Sequence, residues 1–412
     1  MQNNYRIGIY GISGSGKSTL IKNLCEESSR FQSFEGSKIM EKILNDDISN
    51  FKLLDADEKY KTRVDVINYI KNELDDNMYT IVDGHYSFIK NNSDFEIAIT
   101  KEDLEFYTHI FHLDISDEII KQQQLNDKSK QRNFSIEEIR KWKEHEKVGL
   151  QEICKHNNIS FYNLTSHDLN IDYIHEVINK ENLLNDLNRH IDNSTVKKYL
   201  LFDADYTIVN FDTGKDYMYK SLNIDLVDVK SCFKKDGYCF SSFFKLAKLH
   251  SKIDDDIFVN TMYKEASKIE IETDFLNLLK TYSSEYNICI VTAGFRILWQ
   301  EVLKKYNLEN IKVFGGNNLN IDNYIIDNNL KGYIASYLRK NDNQVISFGD
   351  SLLDKDMLIN SNKGFFVIRE KERNDVISEL RNHQHIKYLS IHSLDTKDLV
   401  KTNFTEIIEE LN

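Results

Sequence analysis

The chain has 412 residues, 41% of them hydrophobic and 29% charged, with a formal net charge of −13. That length is more than one core ordinarily serves and suits two domains, and the hydrophobic share supports a sizeable core in each. The acid excess repels nucleic acid over most of the surface, and no apolar stretch approaches the roughly 18 residues that span a bilayer.

Cys25, Cys154, Cys232, Cys239 and Cys289 are scattered and form no C-x-x-C. This favours reduced thiols in a cytoplasmic compartment over a disulfide framework or a zinc site. The first residues run straight into a strand with no secretory pattern. Proline is absent, so turns must rely on Gly, Asn, Asp and Ser.

Arg6 to Tyr10 reads as a short buried strand. Gly11-Ile12-Ser13-Gly14-Ser15-Gly16-Lys17-Ser18 follows, and a helix is expected from Lys17 to about Glu27. A helix from Glu58 to Leu74 leads to a strand at Tyr79–Asp83, and His109–Asp114 is a third strand. Ser135 and Glu138 form a capping-box pattern for a charged helix to Cys154. Residues 180–197 read as a helical tail plus linker. A second set of apolar runs ends in polar residues: Lys198–Phe202 at Asp203, Tyr286–Val291 at Thr292, and Gln344–Phe348 at Gly349-Asp350. Strands alternating with helices predict parallel α/β sheets, whose sites lie at the carboxyl ends of the strands. A mostly helical insert occupies about 210–285, and 371–412 offers helices without recognisable chemistry.

G-x-x-x-x-G-K-S between a strand and a helix is a phosphate loop. Its glycines let the main chain close around phosphates, and the helix N-terminus completes an anion cradle. Gly11, Ser13, Gly14, Ser15 and Gly16 form that cradle, with Thr19 just beyond it. Lys17 is expected to reach the β- and γ-phosphates of ATP or another NTP, and Ser18 to ligate Mg²⁺. With Asp83-Gly84-His85-Tyr86 closing the second strand, residues 4–180 resemble the nucleoside-monophosphate-kinase branch of P-loop proteins. The resemblance implies Asp83 near metal and acceptor, and Arg132, Arg140, Lys141 and Lys143 in a lid over the transferring phosphate. It also places Lys61 and Arg63 on an acceptor-binding helix. Glu35 is a candidate base or a plain loop acid. His85 departs from the family's residue after Asp-Gly.

In the second half, Asp203-Ala204-Asp205-Tyr206-Thr207, Thr292, Lys331 and Gly349-Asp350-Ser351-Leu352-Leu353-Asp354 occur in order at strand or helix ends. Residues 196–370 resemble the haloacid-dehalogenase superfamily, nearest its phosphoserine-phosphatase-like group. The resemblance implies that Asp203 is a nucleophile forming an aspartyl phosphate and that Asp205 is a general acid, then base. Thr292 and Lys331 would hold phosphoryl oxygens. Asp203, the Asp205 carbonyl and Asp350 would ligate Mg²⁺, with Asp354 completing or supporting the shell. Tyr206 replaces the glycine usual in this pentad.

The expected architecture is two-domain α/β: a P-loop kinase domain at 1–185, then a Rossmann-like haloacid-dehalogenase domain at 196–412 with a helical cap. The leading functional expectation is a bifunctional small-molecule kinase and phosphomonoesterase, on nucleotide- or nucleoside-type substrates. The alternative is a polynucleotide kinase–phosphatase that heals nucleic-acid ends, which the domain order fits and the charge disfavours. A non-enzymatic nucleotide switch predicts decay of Lys17 or the Asp203/Asp205 pair, and all three are intact.

Overall fold

Ile7, Gly8, Ile9 and Tyr10 are all buried, so strand β1 (Arg6–Tyr10) has apolar residues on both faces and belongs inside a covered sheet. The computed structural model describes residues 5–45, 51, 53–90, 94–127, 134–165, 167–369, 374–391 and 401–411. It divides into two compact units, Met1–His175 and Glu176–Asn412.

In the first unit, β1 pairs in parallel with β3 (Tyr79–Gly84) and β6 (His109–Leu113). Strands β2 (Phe31–Phe34) and β7 (Ser160–Leu164) extend the sheet outward, giving the order β2-β3-β1-β6-β7. A separate antiparallel hairpin joins β4 (Ser87–Ile89) to β5 (Phe95–Ile97). The Tyr10 ring lies across β1 and β3. A Cβ added at Gly8 or Gly84 would come within 2.6 Å of that ring, so both positions require glycine for close approach.

The second unit has seven parallel strands in the order β10-β9-β8-β11-β12-β13-β14. The central ones are β8 (Lys198–Phe202), β9 (Asn287–Val291) and β11 (Gln344–Gly349). Outside them lie β10 (Lys312–Phe314), β12 (Lys363–Ile368), β13 (Ile386–Ser390) and β14 (Lys401–Thr402). Because β8 pairs with both β9 and β11, the residues just beyond these three strands converge at one sheet edge.

The structure refines three expectations. The helical tail read at 180–197 starts much earlier, as helix His167–Asp192, and only residues 193–197 link it to β8; its Leu183 and Leu187 bury against Tyr199 and Leu201 of the second unit. The two compact units meet within this helix, at residues 175 and 176. The insert ends before residue 285, because Phe275 of helix Thr273–Tyr282 packs edge-on against Phe202 and Phe348 of the sheet. The segment expected to be helical after 371 also supplies β13 and β14, which lengthen the sheet. No helix among the described residues is long and apolar enough to cross a membrane.

Helices Leu226–Phe233, Phe240–His250 and Asp255–Ala266 make up most of the insert. His250 ties it to the sheet side: it is fully buried, and its Nδ1 hydrogen-bonds the Asn317 carbonyl at 2.7 Å. Burial pushes its pKa from 6.5 down to about 4, the Asn317 bond opposing only in part. A lowered folded-state pKa means that His250 stabilises the fold fully above pH 6.5, and that this is lost as pH falls towards 4. The loss should reach about 3 kcal/mol. In urea unfolding at pH 7 and pH 4.5, His250→Asn should be less stable at pH 7 yet show a smaller pH dependence than the parent.

Candidate active sites

Gly11, Gly14 and Gly16 have φ of 147°, 87° and 90°, in the region L side chains avoid. They wrap the 11–16 loop into the start of helix Lys17–Glu27, for which Gly16 is the N-cap. Lys17 is buried; its Nζ donates to the Gly11 carbonyl at 2.5 Å and lies 3.4 Å from His85 Nε2. Ser18 and Thr19 are exposed at the helix start, whereas Ser15 is buried and its Oγ has no partner among the described residues. Gln124 was not anticipated. It is buried, donates to the Ser13 carbonyl at 2.6 Å and packs where a Gly14 side chain would be.

Asp83 is the penultimate residue of β3, opposite Ile9 of β1, but its Oδ1 accepts from the Gly36 N–H at 2.9 Å, so it also anchors helix Gly36–Leu44. Arg63 is committed to Glu96 at 2.8 Å and Arg140 to Asp117 at 2.9 Å. Lys143 reaches Asp114 at 3.1 Å and Asp117 at 2.8 Å. Lys141 pairs with Glu137 and Glu35 with Lys38, both at the surface, and Lys61 is exposed. Arg132 lies outside the described residues.

Helix Ile136–His156 adds a group that sequence reading missed. Glu146 Oε1 accepts the Tyr86 N–H at 2.7 Å, Trp142 Nε1 donates to the Ser87 carbonyl at 3.0 Å, and Tyr86 packs over Gly149. These residues share one helix face at i, i+4 and i+7, the signal that could have revealed them. Together they hold the segment that presents His85 to Lys17. Burial lifts the fully enclosed Glu146 carboxyl to about 7, against the pull of Lys17 and the two N–H groups. Glu146→Leu should destabilise the protein by about 1–3 kcal/mol, since it strands two buried N–H donors, whereas Glu146→Gln, which keeps an acceptor, should lose less. The urea midpoints of the two variants check this.

In the second unit the predicted residues come together. Asp203 follows β8, Thr292 follows β9 and Asp350 follows β11. Lys331 comes from helix Asn328–Lys340. Its buried Nζ donates to Asp203 at 2.6 Å and to Asp354 at 2.7 Å. Burial opposes the Lys331 charge, but the two carboxylates hold its pKa above the usual lysine range, so it is a cation. Burial, with the Asp354 charge, raises Asp203; the Lys331 ammonium opposes this.

Carboxylate oxygens of Asp203, Asp350 and Asp354 lie within 4.8 Å of one another. An all-oxygen donor set suits a hard divalent cation. Asp354 is the least available of the three. Besides Lys331 it accepts the Asp350 and Ser351 N–H groups at 3.2 and 3.1 Å and the Ser351 hydroxyl at 2.8 Å. It braces Lys331 and the 350–351 backbone, and a Cβ at Gly349 would collide with it at 2.4 Å. Thr292 is buried, and its Oγ1 accepts from the Gly294 N–H at 2.9 Å.

Asp205 faces a different partner. Thr213 donates to its carboxylate through Oγ1, at 2.9 and 3.0 Å to the two oxygens, and through its N–H at 3.1 Å. Burial, then Asp212 and Asp203, pushes Asp205 well above the usual carboxylate range, against the Thr213 bonds. Of the two pentad carboxyls, Asp205 is thus the one caged by hydroxyl and N–H donors, while Asp203 faces the Lys331 ammonium. Thr213 was missed because only a tight turn after the pentad brings it back to Asp205.

Residues 10–141 match the model of a family described as an AAA domain, a P-loop kinase-like match. No curated protein matches the chain by sequence. Among solved structures, a phosphoserine phosphatase carrying a phospho-aspartyl intermediate analogue is similar over 52% of this chain and 99% of that one, at 18% identity and TM-score 0.36. Shikimate kinase from Acinetobacter baumannii in complex with shikimate matches over 40% and 86%, at 15% identity and TM-score 0.30. A haloacid dehalogenase-like hydrolase from Streptococcus pneumoniae matches over 52% and 98%, at 14% identity and TM-score 0.32. The chain is a two-domain α/β protein with a parallel sheet in each unit, the second sheet interrupted by a helical insert.

Proposed function

We propose that the chain is a bifunctional enzyme, an ATP-dependent small-molecule kinase joined to a Mg²⁺-dependent phosphomonoesterase. The observation that carries the reading is the buried Lys331 cation between Asp203 and Asp354, with the proton-holding Asp205 close by in the same pentad. An ordinary pair of strand-end acids has no need of a buried lysine and a separately caged carboxyl.

In the phosphatase half, an Asp203 oxygen attacks phosphorus and the bond to the leaving oxygen breaks, giving an aspartyl phosphate. Asp205 gives its proton to the departing alkoxide, then takes one from the water that attacks the same phosphorus. Inorganic phosphate leaves and Asp203 is restored. Lys331 and Thr292 hold the phosphoryl oxygens and offset charge that builds on them. Asp203 and Asp350 would hold Mg²⁺ with support from Asp354, and the ion would supply charge neutralisation at the phosphoryl group.

In the kinase half, the 11–16 backbone would cradle the triphosphate, and Lys17 would exchange the Gly11 carbonyl for phosphate oxygens. His85 faces Lys17 from the acceptor side and can hydrogen-bond an entering hydroxyl or phosphate. Phosphoryl transfer to that acceptor then needs positioning and charge more than covalent help from the protein.

Two variants separate the sites. Asp203→Asn should lower phosphate release from monoesters at least about a thousandfold with kinase turnover unchanged, and Lys17→Ala should lower ATP-dependent phosphorylation roughly a hundredfold or more with phosphatase turnover unchanged. Loss of both activities in either folded variant would refute the two-site reading. EDTA should silence both activities and added Mg²⁺ restore them. Running the assays on free nucleosides and nucleotides beside 5′-OH and 3′-phosphate oligonucleotides tests the substrate class: turnover of oligonucleotides alone would replace the small-molecule reading with end healing.

A further inference from the structure

Tyr206 departs from the backbone chemistry of the rest of the chain. Among the described residues, six other than glycine have positive φ; five are Asn or Asp, and the sixth is Tyr206, at φ 55° and ψ 0°. Asn and Asp tolerate this region and an aromatic side chain does not, so something must hold Tyr206 there. The strain sits between the Asp203/Asp205 pair and Thr207, whose hydroxyl is 3.5 Å from Asp350.

Arg369, just after β12, supplies the hold. Its Nε donates to the Tyr206 carbonyl at 2.6 Å and its Nη2 to the Thr207 carbonyl at 2.7 Å. The same guanidinium pairs with Glu272 at 2.7 and 3.1 Å, and the Arg369 side chain is only 11% exposed. Glu272 in turn donates its N–H to the Ile208 carbonyl at 3.1 Å. One planar fork thus spans two successive carbonyls of the pentad and the point where the chain returns from the insert. A lysine ammonium cannot reproduce that geometry.

We propose that Arg369 is a positioning residue of the phosphatase site: with Glu272 as its counter-ion, it pins the 206–207 carbonyls, keeps Tyr206 at positive φ and so sets Asp205 against Asp203. This rests on the phosphatase reading above. Arg369 touches no reacting atom, so its effect must pass through the turn.

The test uses the full chain, Mg²⁺ and p-nitrophenyl phosphate. Arg369→Ala should lower kcat roughly tenfold to a hundredfold with KM little changed, because an interaction that matters only during reaction is lost. It should also shift the limb of the pH–rate profile that reports the proton donor. Arg369→Lys should fall near Arg369→Ala. Adding Tyr206→Gly to Arg369→Ala should recover most of the lost kcat, since glycine adopts positive φ without the side-chain clash. An Arg369→Ala enzyme with unchanged kcat and pH profile, or a glycine double variant with no recovery, would overturn the proposal. If the parent hydrolyses no phosphomonoester at all, the phosphatase reading fails, and the pin is judged by urea unfolding instead. Arg369→Ala should then lower the midpoint clearly less in the Tyr206→Gly background than in the parent, and equal shifts would refute it.

Discussion

A cation buried among carboxylates organises the second unit. Lys331 reaches Asp203 and Asp354 from a helix that neither belongs to, and all three side chains are shielded from water. A buried ion pair contributes little net stability, yet losing one partner leaves an uncompensated charge and costs several kcal/mol. The arrangement is therefore demanding: helix Asn328–Lys340, the end of β8 and the 350–354 turn must all meet in one register. The parallel order β9-β8-β11 achieves that, because each neighbouring strand delivers its last residue to the same edge.

The first unit solves a similar problem with neutral backbone groups. Its phosphate loop is held open by three positive-φ glycines and closed at the back by Lys17 and Gln124, both bonded to loop carbonyls. The segment that follows β3 rests on Glu146 and Trp142, which grip the 86–87 main chain from one helix face. In both units, then, residues that carry chemistry in the proposed mechanism are placed by others that do not: Glu146 and Gln124 in one, Thr213, Asp354 and Arg369 in the other.

That division explains what could be read from the sequence. Gly11–Ser18 and the Asp203, Thr292, Lys331 and Asp350 series were legible because chemistry fixes both residue type and order along the chain. Asp354 was legible as a member of the group but not as a brace, since its four donors come from three residues of the chain. Thr213 and Arg369 carry no motif; their meaning lies in which carboxylate or carbonyl they reach. The edge strands were missed for a related reason. Phe31–Phe34, with Gln32 and Ser33, and Ser160–Leu164, with Asn163, lack the unbroken apolar run of β1, because one side of an edge strand has no neighbour to exclude water. The helix through residue 175 hid the domain boundary, as a continuous helical pattern gives no compositional break.

The charge count at the Lys331 cluster has a consequence for the order of events. When ionised, Asp203, Asp350 and Asp354 outnumber the single ammonium, leaving an excess of two negative charges in a poorly solvated place. In the proposed phosphatase reaction a phosphate monoester would arrive as a dianion and meet that excess head-on. On that reading a divalent counter-ion would be an admission requirement as well as an aid to the chemistry, and cation and substrate would enter in sequence, the cation first.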